Sequence, residues 1–183
     1  MKLEGYHNTE VANVEDIFQN GFICTPNKKH WLGQGIYFFS DIDVAIYNID
    51  MLEHKEEIKT IAVEIEVEDT AYFDLDIIKN NNTFRQYCIE KEKNMKEQGI
   101  ELVIEQSDKR EVSQIYKCFF MDLFKQENGY AVLSKTFSKE NPPYAQTING
   151  IPYLGLPFLE KYICVSDNKY IITKSLIGRE LFV

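Results

Sequence analysis

Residues 6–9 read YHNT, 20–22 NGF, 31–39 WLGQGIYFF and 43–48 DVAIYN, and this stretch decides how the rest of the chain is read. Gly33 and Gly35 flank a single residue, a spacing that turns the backbone tightly or lets a ligand come close. Tyr37 follows in a run of Ile and Phe that reads as a strand over 36–39. Tyr47 comes ten residues later on an expected helix. Two aromatics presented from adjacent elements can clamp a flat ring by stacking. His7, on a neighbouring strand, can hydrogen-bond a sugar hydroxyl while staying neutral.

Working outward, Leu3 to His7 reads as a short opening strand. Val11, Val14, Ile17 and Phe18 then recur at helical spacing, with Gly21 placed as a C-terminal cap. Ser40 or Asp41 can cap a helix from Asp41 to Leu52. Thr60 to Val67 alternates, with Ile61, Val63, Ile65 and Val67 on one face and Glu64, Glu66 and Glu68 on the other. KNNN at 79–82 reads as a polar connection, and a charged helix is expected from Thr83 to Gln98. Its run EKEKNMKEQ, 90–98, is a solvated face. Asp108 to Gln126 carries a heavy apolar stripe of helical period. Strands are expected at Tyr130–Phe137, Lys161–Val165 and Lys169–Thr173. With strands at both ends and helices between and beside them, the class is α+β in one domain spanning 1–183.

The 183 residues hold 20 Lys and Arg against 29 Asp and Glu, a formal charge of −9. That balance disfavours broad phosphate contact with nucleic acid or an anionic lipid surface. It leaves room for an acidic enzyme that handles a small anion in a locally shielded pocket. Lys28, Lys29 and His30 form either an exposed loop or a local positive patch. Trp31 reads as a packing anchor for the glycine turn. Cys24, Cys88, Cys118 and Cys164 stand singly, without metal-ligand spacing, so no metal site is expected. MKLEGYHNTE lacks the apolar core of a signal peptide, and no apolar run approaches a membrane span. A cytoplasmic protein with free thiols, Cys164 among the core, is the expectation.

The segment 6–47 resembles the nicotinamide-binding half of the ADP-ribosyltransferase fold, in the branch of diphtheria toxin and the poly(ADP-ribose) polymerases. It looks closer still to small bacterial toxin-like members reading YHGT, GF and WLGxGVYFF. The resemblance implies a split mixed β-sheet core with flanking helices, and NAD+ as the substrate. Carried over by position, His7 would bond the adenosine ribose 2′-hydroxyl and the backbone of Asn8 would hold the nicotinamide carboxamide. Tyr37 and Tyr47 would sandwich the nicotinamide, with Thr9, Gly35 and Ala45 completing the motif. Asn8 stands where the family has Gly, and Asn can supply the same backbone groups while tolerating unusual φ. VEIEVEDTAYFDLD (63–76) and EKYICVSDNKYI (160–171) resemble later strands of the bacterial group.

The family's third functional position, usually a Glu on the closing strand, falls on Glu160, Lys161 or Tyr162 according to register. Glu160 and Tyr162 share a face of a regular strand and Lys161 points the other way. Glu160 is the favoured catalytic carboxylate, with Tyr162 beside it. The implied activity is mono-ADP-ribosyl transfer to a macromolecular acceptor, a protein or a short nucleic-acid site, with release of nicotinamide. Compact bacterial relatives act as toxins or in conflict with phage, which implies an antitoxin or immunity partner. NAD+ hydrolysis and a catalytically inactive binding module are the alternatives. The RNA 2′-phosphotransferase branch of the fold is disfavoured, because only Arg85, Arg110 and Arg179 accompany the −9 charge.

Overall fold

The computed structural model describes residues 1–104, 108–139, 147–148, 151–152 and 158–178. Strand β1, Lys2–Glu10, leads into helix α1, Val11–Asn20. Then come β2, Ile36–Phe39, α2, Ile42–Asp50, β3, Ile58–Glu66, and β4, Tyr72–Asp74. Two long helices follow, α3, Ile78–Glu97, and α4, Lys109–Asn128. The chain ends with β5, Val132–Lys139, the two-residue strands β6, Thr147–Ile148, and β7, Ile151–Pro152, then β8, Phe158–Val165, and β9, Ile171–Ile177. The main sheet has seven strands in the order β4-β5-β8-β2-β1-β3-β9. It is mixed: β4 and β5 run parallel and the other neighbours antiparallel. The class is therefore α+β.

Alternation along each strand feeds two cores. Ile163 and Val165 of β8, with Ile36 and Phe38 of β2, pack with Ile17 and Phe22 of the α1 region. Cys164 and Leu133 point the other way, against Met121 and Phe124 of α4. The expected inward face is buried at Ile61, Val63 and Ile65 of β3 and at Val67 just past its end. Burial of such side chains stabilises by roughly 1.5–3 kcal/mol each.

The strands hold β1 unequally. β1 pairs with β3 along its whole length, from Lys2 opposite Glu66 to Glu10 opposite Ile58. With β2 it makes one pair, Tyr6 opposite Phe39. β2 is paired on its other side with β8 from Ile36–Val165 to Phe39–Tyr162. A seam thus runs down the middle of the sheet.

Side chains set the element ends. Asp41 caps α2, accepting from the amides of Asp43 and Val44 at 2.7 and 3.4 Å. α3 starts before its expected residue, Thr83, and takes in the 79–82 run. Asn80 and Asn81 donate to the carbonyls of Asp74 and Leu75, at 2.9 and 3.3 Å, so this polar stretch joins the first helical turn. β9 starts later than expected because Asp167 accepts from the Lys169 amide and folds 168–170 into a short 3-10 turn.

Gly33 takes φ +75°, and a Cβ there would lie 2.3 Å from Asp122 Oδ1. Gly99 has a similar φ, +72°, and open space around it. Gly99→Ala is expected to cost about 1 kcal/mol of backbone strain, and Gly33→Ala at least about 1 kcal/mol more. Urea unfolding of both variants measures the difference, and equal losses would show that the 31–35 turn yields freely.

Candidate functional site

His7 stands where β1 and β2 part. Its Nδ1 lies 2.9 Å from the Tyr37 carbonyl oxygen, so the ring bridges the seam. A carbonyl only accepts, which puts the proton on Nδ1 and leaves Nε2 an acceptor. Phe22 and Phe38 meet the ring edge-on at 5.0 and 5.8 Å. Burial pulls the His7 pKa below its ordinary value, and the bond to the Tyr37 carbonyl opposes this only in part. The imidazole is neutral at pH 7.

Tyr37 is used differently from a free stacking platform. Its hydroxyl donates to the Gly33 carbonyl at 2.8 Å and accepts from the Leu32 amide at 2.7 Å. His30 lies against its ring, centroids 4.9 Å apart. Burial raises the phenol pKa, so the hydroxyl remains a donor. The turn is clamped again from α4: Asp122 accepts from the Gln34 amide at 2.6 Å, and Lys125 donates to the Gln34 carbonyl. Lys125 is only 7% exposed and pairs with Asp122 at 3.1 Å. The amides of Leu32 and Gln34 are therefore spent inside the protein. Lys29 is also engaged, with Glu111 at 2.6 Å, which weakens the expected positive patch.

Gly35 makes room for a strand: a Cβ there would sit 2.5 Å from Cys164 Sγ and 2.9 Å from the Val165 carbonyl oxygen. Asn8 donates to the Ala45 carbonyl at 2.7 Å and accepts from Thr60 Oγ1 at 2.9 Å, tying α2 to β3. Thr9 is buried, opposite Lys59. Ala45 and Tyr47 are buried on α2. No ring contact between Tyr37 and Tyr47 is among those described.

Glu160 is 1% exposed on β8. Its Oε1 accepts from Asn48 Nδ2 of α2 at 3.0 Å, and its Oε2 from the Tyr162 hydroxyl at 2.7 Å. Burial, then the bond to Glu160, pushes the Tyr162 pKa up. Lys161 faces the opposite side, where Asp74 and Asp76 hold its ammonium at 2.8 and 3.3 Å. Burial works to lower its pKa, but the two carboxylates outweigh that and raise it. Of the three contenders on this strand, Lys161 is thus committed to an ion-pair cluster, while Glu160 and Tyr162 act as one hydrogen-bonded unit.

Aromatic rings surround that unit. Phe39 and Trp31 approach the Tyr162 ring at 5.0 and 5.7 Å, and Phe137 sits opposite Glu160 on β5. Trp31 contacts Phe137 at 4.7 Å yet stays 45% exposed. The anchor of the turn is its neighbour Leu32, fully buried in the second core. Tyr37 and Tyr162 share that core's side of the sheet, and His7 packs with rings of the other core. Asn48 was missed by sequence reasoning. Its amide also donates to the Val44 carbonyl at 2.9 Å, and nothing in the local sequence marks it as the partner of a residue 112 positions away.

No family profile matches this chain, and no curated protein matches it. Among the described residues no group of three or more His, Cys, Asp and Glu is placed to hold a metal ion. No described helix is long and apolar enough to cross a membrane. Arg179 lies outside the described residues.

A His held neutral by burial binds fewer protons folded than unfolded. Stability is then full above the unfolded pKa, near 6.5, and falls as pH drops below it toward the lower folded value. Urea unfolding at pH 7.5, 6.5 and 5.5 should show the wild type losing more stability on acidification than His7→Gln. His30, shifted in the same direction, is present in both proteins. Parallel pH curves would mean that His7 protonates freely in the fold.

Proposed function

We propose that this chain is an NAD+-dependent mono-ADP-ribosyltransferase with an ADP-ribosyltransferase-like split sheet. The observation that carries the reading is the buried Glu160 carboxylate, oriented by Asn48 and Tyr162. The strand beside it carries Tyr37, whose carbonyl is bonded to a neutral His7 across the seam. The same three residue types, in the same chain order, are those the sequence resemblance assigns to ribose and nicotinamide.

The chemistry this arrangement would serve is heterolysis of the C1′–N bond of NAD+. The bonding pair leaves with nicotinamide, which departs neutral and needs no general acid. C1′ becomes oxocarbenium-like, and a fixed carboxylate stabilises that charge and the ribose hydroxyl beside it. A lone pair of the acceptor oxygen or nitrogen then bonds C1′, and its proton passes to the carboxylate. A protein or a short nucleic-acid site as acceptor, and a role as a toxin or phage-defence effector with an antitoxin or immunity partner, belong to this proposal. The near-complete burial of Glu160 favours a second reading, hydrolysis with water as the acceptor.

Incubation with labelled NAD+, with and without lysate, tests both. Wild type should release nicotinamide. Glu160→Ala should lose about a hundredfold or more in rate, and Tyr162→Phe less, since Asn48 still holds the carboxylate. His7→Ala and Tyr37→Ala should weaken turnover too. Label transferred to macromolecules selects the transferase, and release unchanged by lysate selects the hydrolase. NAD+ binding without turnover, unaltered in Glu160→Ala, would identify a non-catalytic module and overturn both.

A further inference from the structure

The rim of the Glu160 site holds two side chains that the catalytic reading leaves unused. Trp31 lays its ring against Phe137 and edge-on to Tyr162, yet remains nearly half exposed. A large aromatic backed by other rings and open to solvent is a stacking surface. Lys135 stands opposite Tyr162 on the neighbouring strand, on the same face by alternation, and its Nζ lies 5.9 Å from the centre of the Phe137 ring. No carboxylate among the described residues pairs with it, whereas Lys29, Lys125 and Lys161 near the site all have acidic partners. In a chain of net charge −9, a lysine left without a carboxylate partner and set beside Phe137 and opposite Tyr162 is placed to take an anion.

We propose that Trp31 and Lys135, joined through Phe137, form the nucleotide-holding wall of the Glu160 site, with Trp31 stacking a flat heteroaromatic ring and Lys135 holding an attached phosphate. Ring, phosphate and ribose hydroxyl are the three chemistries of a nucleotide, and the wall offers a partner for each: Trp31, Lys135 and Glu160. The proposal rests on the NAD+ reading above and adds to it the source of positive charge. It places that charge on β5 rather than on the 28–35 turn, where the Leu32 and Gln34 amides and Lys29 are already engaged.

Trp31 is the chain's single tryptophan, so its emission reports on this wall alone. The test titrates the full chain with NAD+, with AMP and with nicotinamide, following Trp31 fluorescence and, in parallel, calorimetric heat. NAD+ and AMP should change the emission, and nicotinamide, which carries no phosphate, should bind far more weakly. Trp31→Ala and Lys135→Gln should each weaken NAD+ binding about tenfold by calorimetry, with Trp31→Phe losing less than Trp31→Ala. Lys135→Gln should also flatten the salt dependence of binding. Calorimetric NAD+ binding that leaves the emission unchanged and is untouched by either substitution overturns the wall and spares the NAD+ reading. Absence of binding by both NAD+ and AMP to the folded wild type overturns both. AMP binding without NAD+ binding keeps the wall and sinks the NAD+ reading.

Discussion

One backbone pair, Tyr6 with Phe39, and one side-chain bond, His7 to the Tyr37 carbonyl, join the two halves of the sheet. On one side of this seam stand β4, β5, β8 and β2, and on the other β1, β3 and β9. A fully laddered sheet would use up the groups of both strands along its centre. Here the strands part after one pair, and a neutral imidazole spans the place where they do. Asn8 reinforces the join at a distance by tying α2, which follows β2, to β3. The seam is thus held by side chains, with the first core, where Ile61 and Ile65 of β3 cluster with Phe38 of β2, and these polar groups standing in for a continuous ladder.

Glu160 illustrates the cost of readying a carboxylate in advance. Removing it from water is expensive unless hydrogen bonds replace the lost hydration. Asn48 and Tyr162 donate those bonds from two directions, one from a helix and one from the same strand. Because both donors sit on regular elements, the fold itself holds the carboxylate in one orientation, as the proposed chemistry would require. The turn carrying Trp31 and Leu32 is held by the same logic, with Asp122 and Lys125 of α4 reaching its amide and carbonyl.

Much of this was written in short-range patterns. The alternation of Ile61, Val63, Ile65 and Val67 marked a half-buried strand, and the burial follows it residue by residue. The relation between Glu160, Lys161 and Tyr162 was legible as strand parity, and the structure puts Glu160 and Tyr162 together on one face and Lys161 on the other. What the sequence did not disclose depends on long-range pairing. Asn48 lies 112 residues from Glu160, and Lys125 lies 91 from Gln34. No local rule identifies such partners. The glycine turn misled for a physical reason: Trp31 is the larger residue, but Leu32 fills the core because the turn aims its side chain inward. The 79–82 run misled because asparagines that favour loops can instead bond preceding carbonyls and open a helix.

Cys164 carries a consequence of its own. Its thiol is fully buried between Gly35 and the second core, and burial raises its pKa to about 11. Thiolate chemistry at such a site is suppressed twice, by the protonated state and by the wall of packed atoms. A thiol reagent can reach it when the 31–35 turn or α4 lifts from that face of the sheet, so its rate of modification keeps time with the opening of the second core. The protein therefore has a built-in clock for the breathing of its second core.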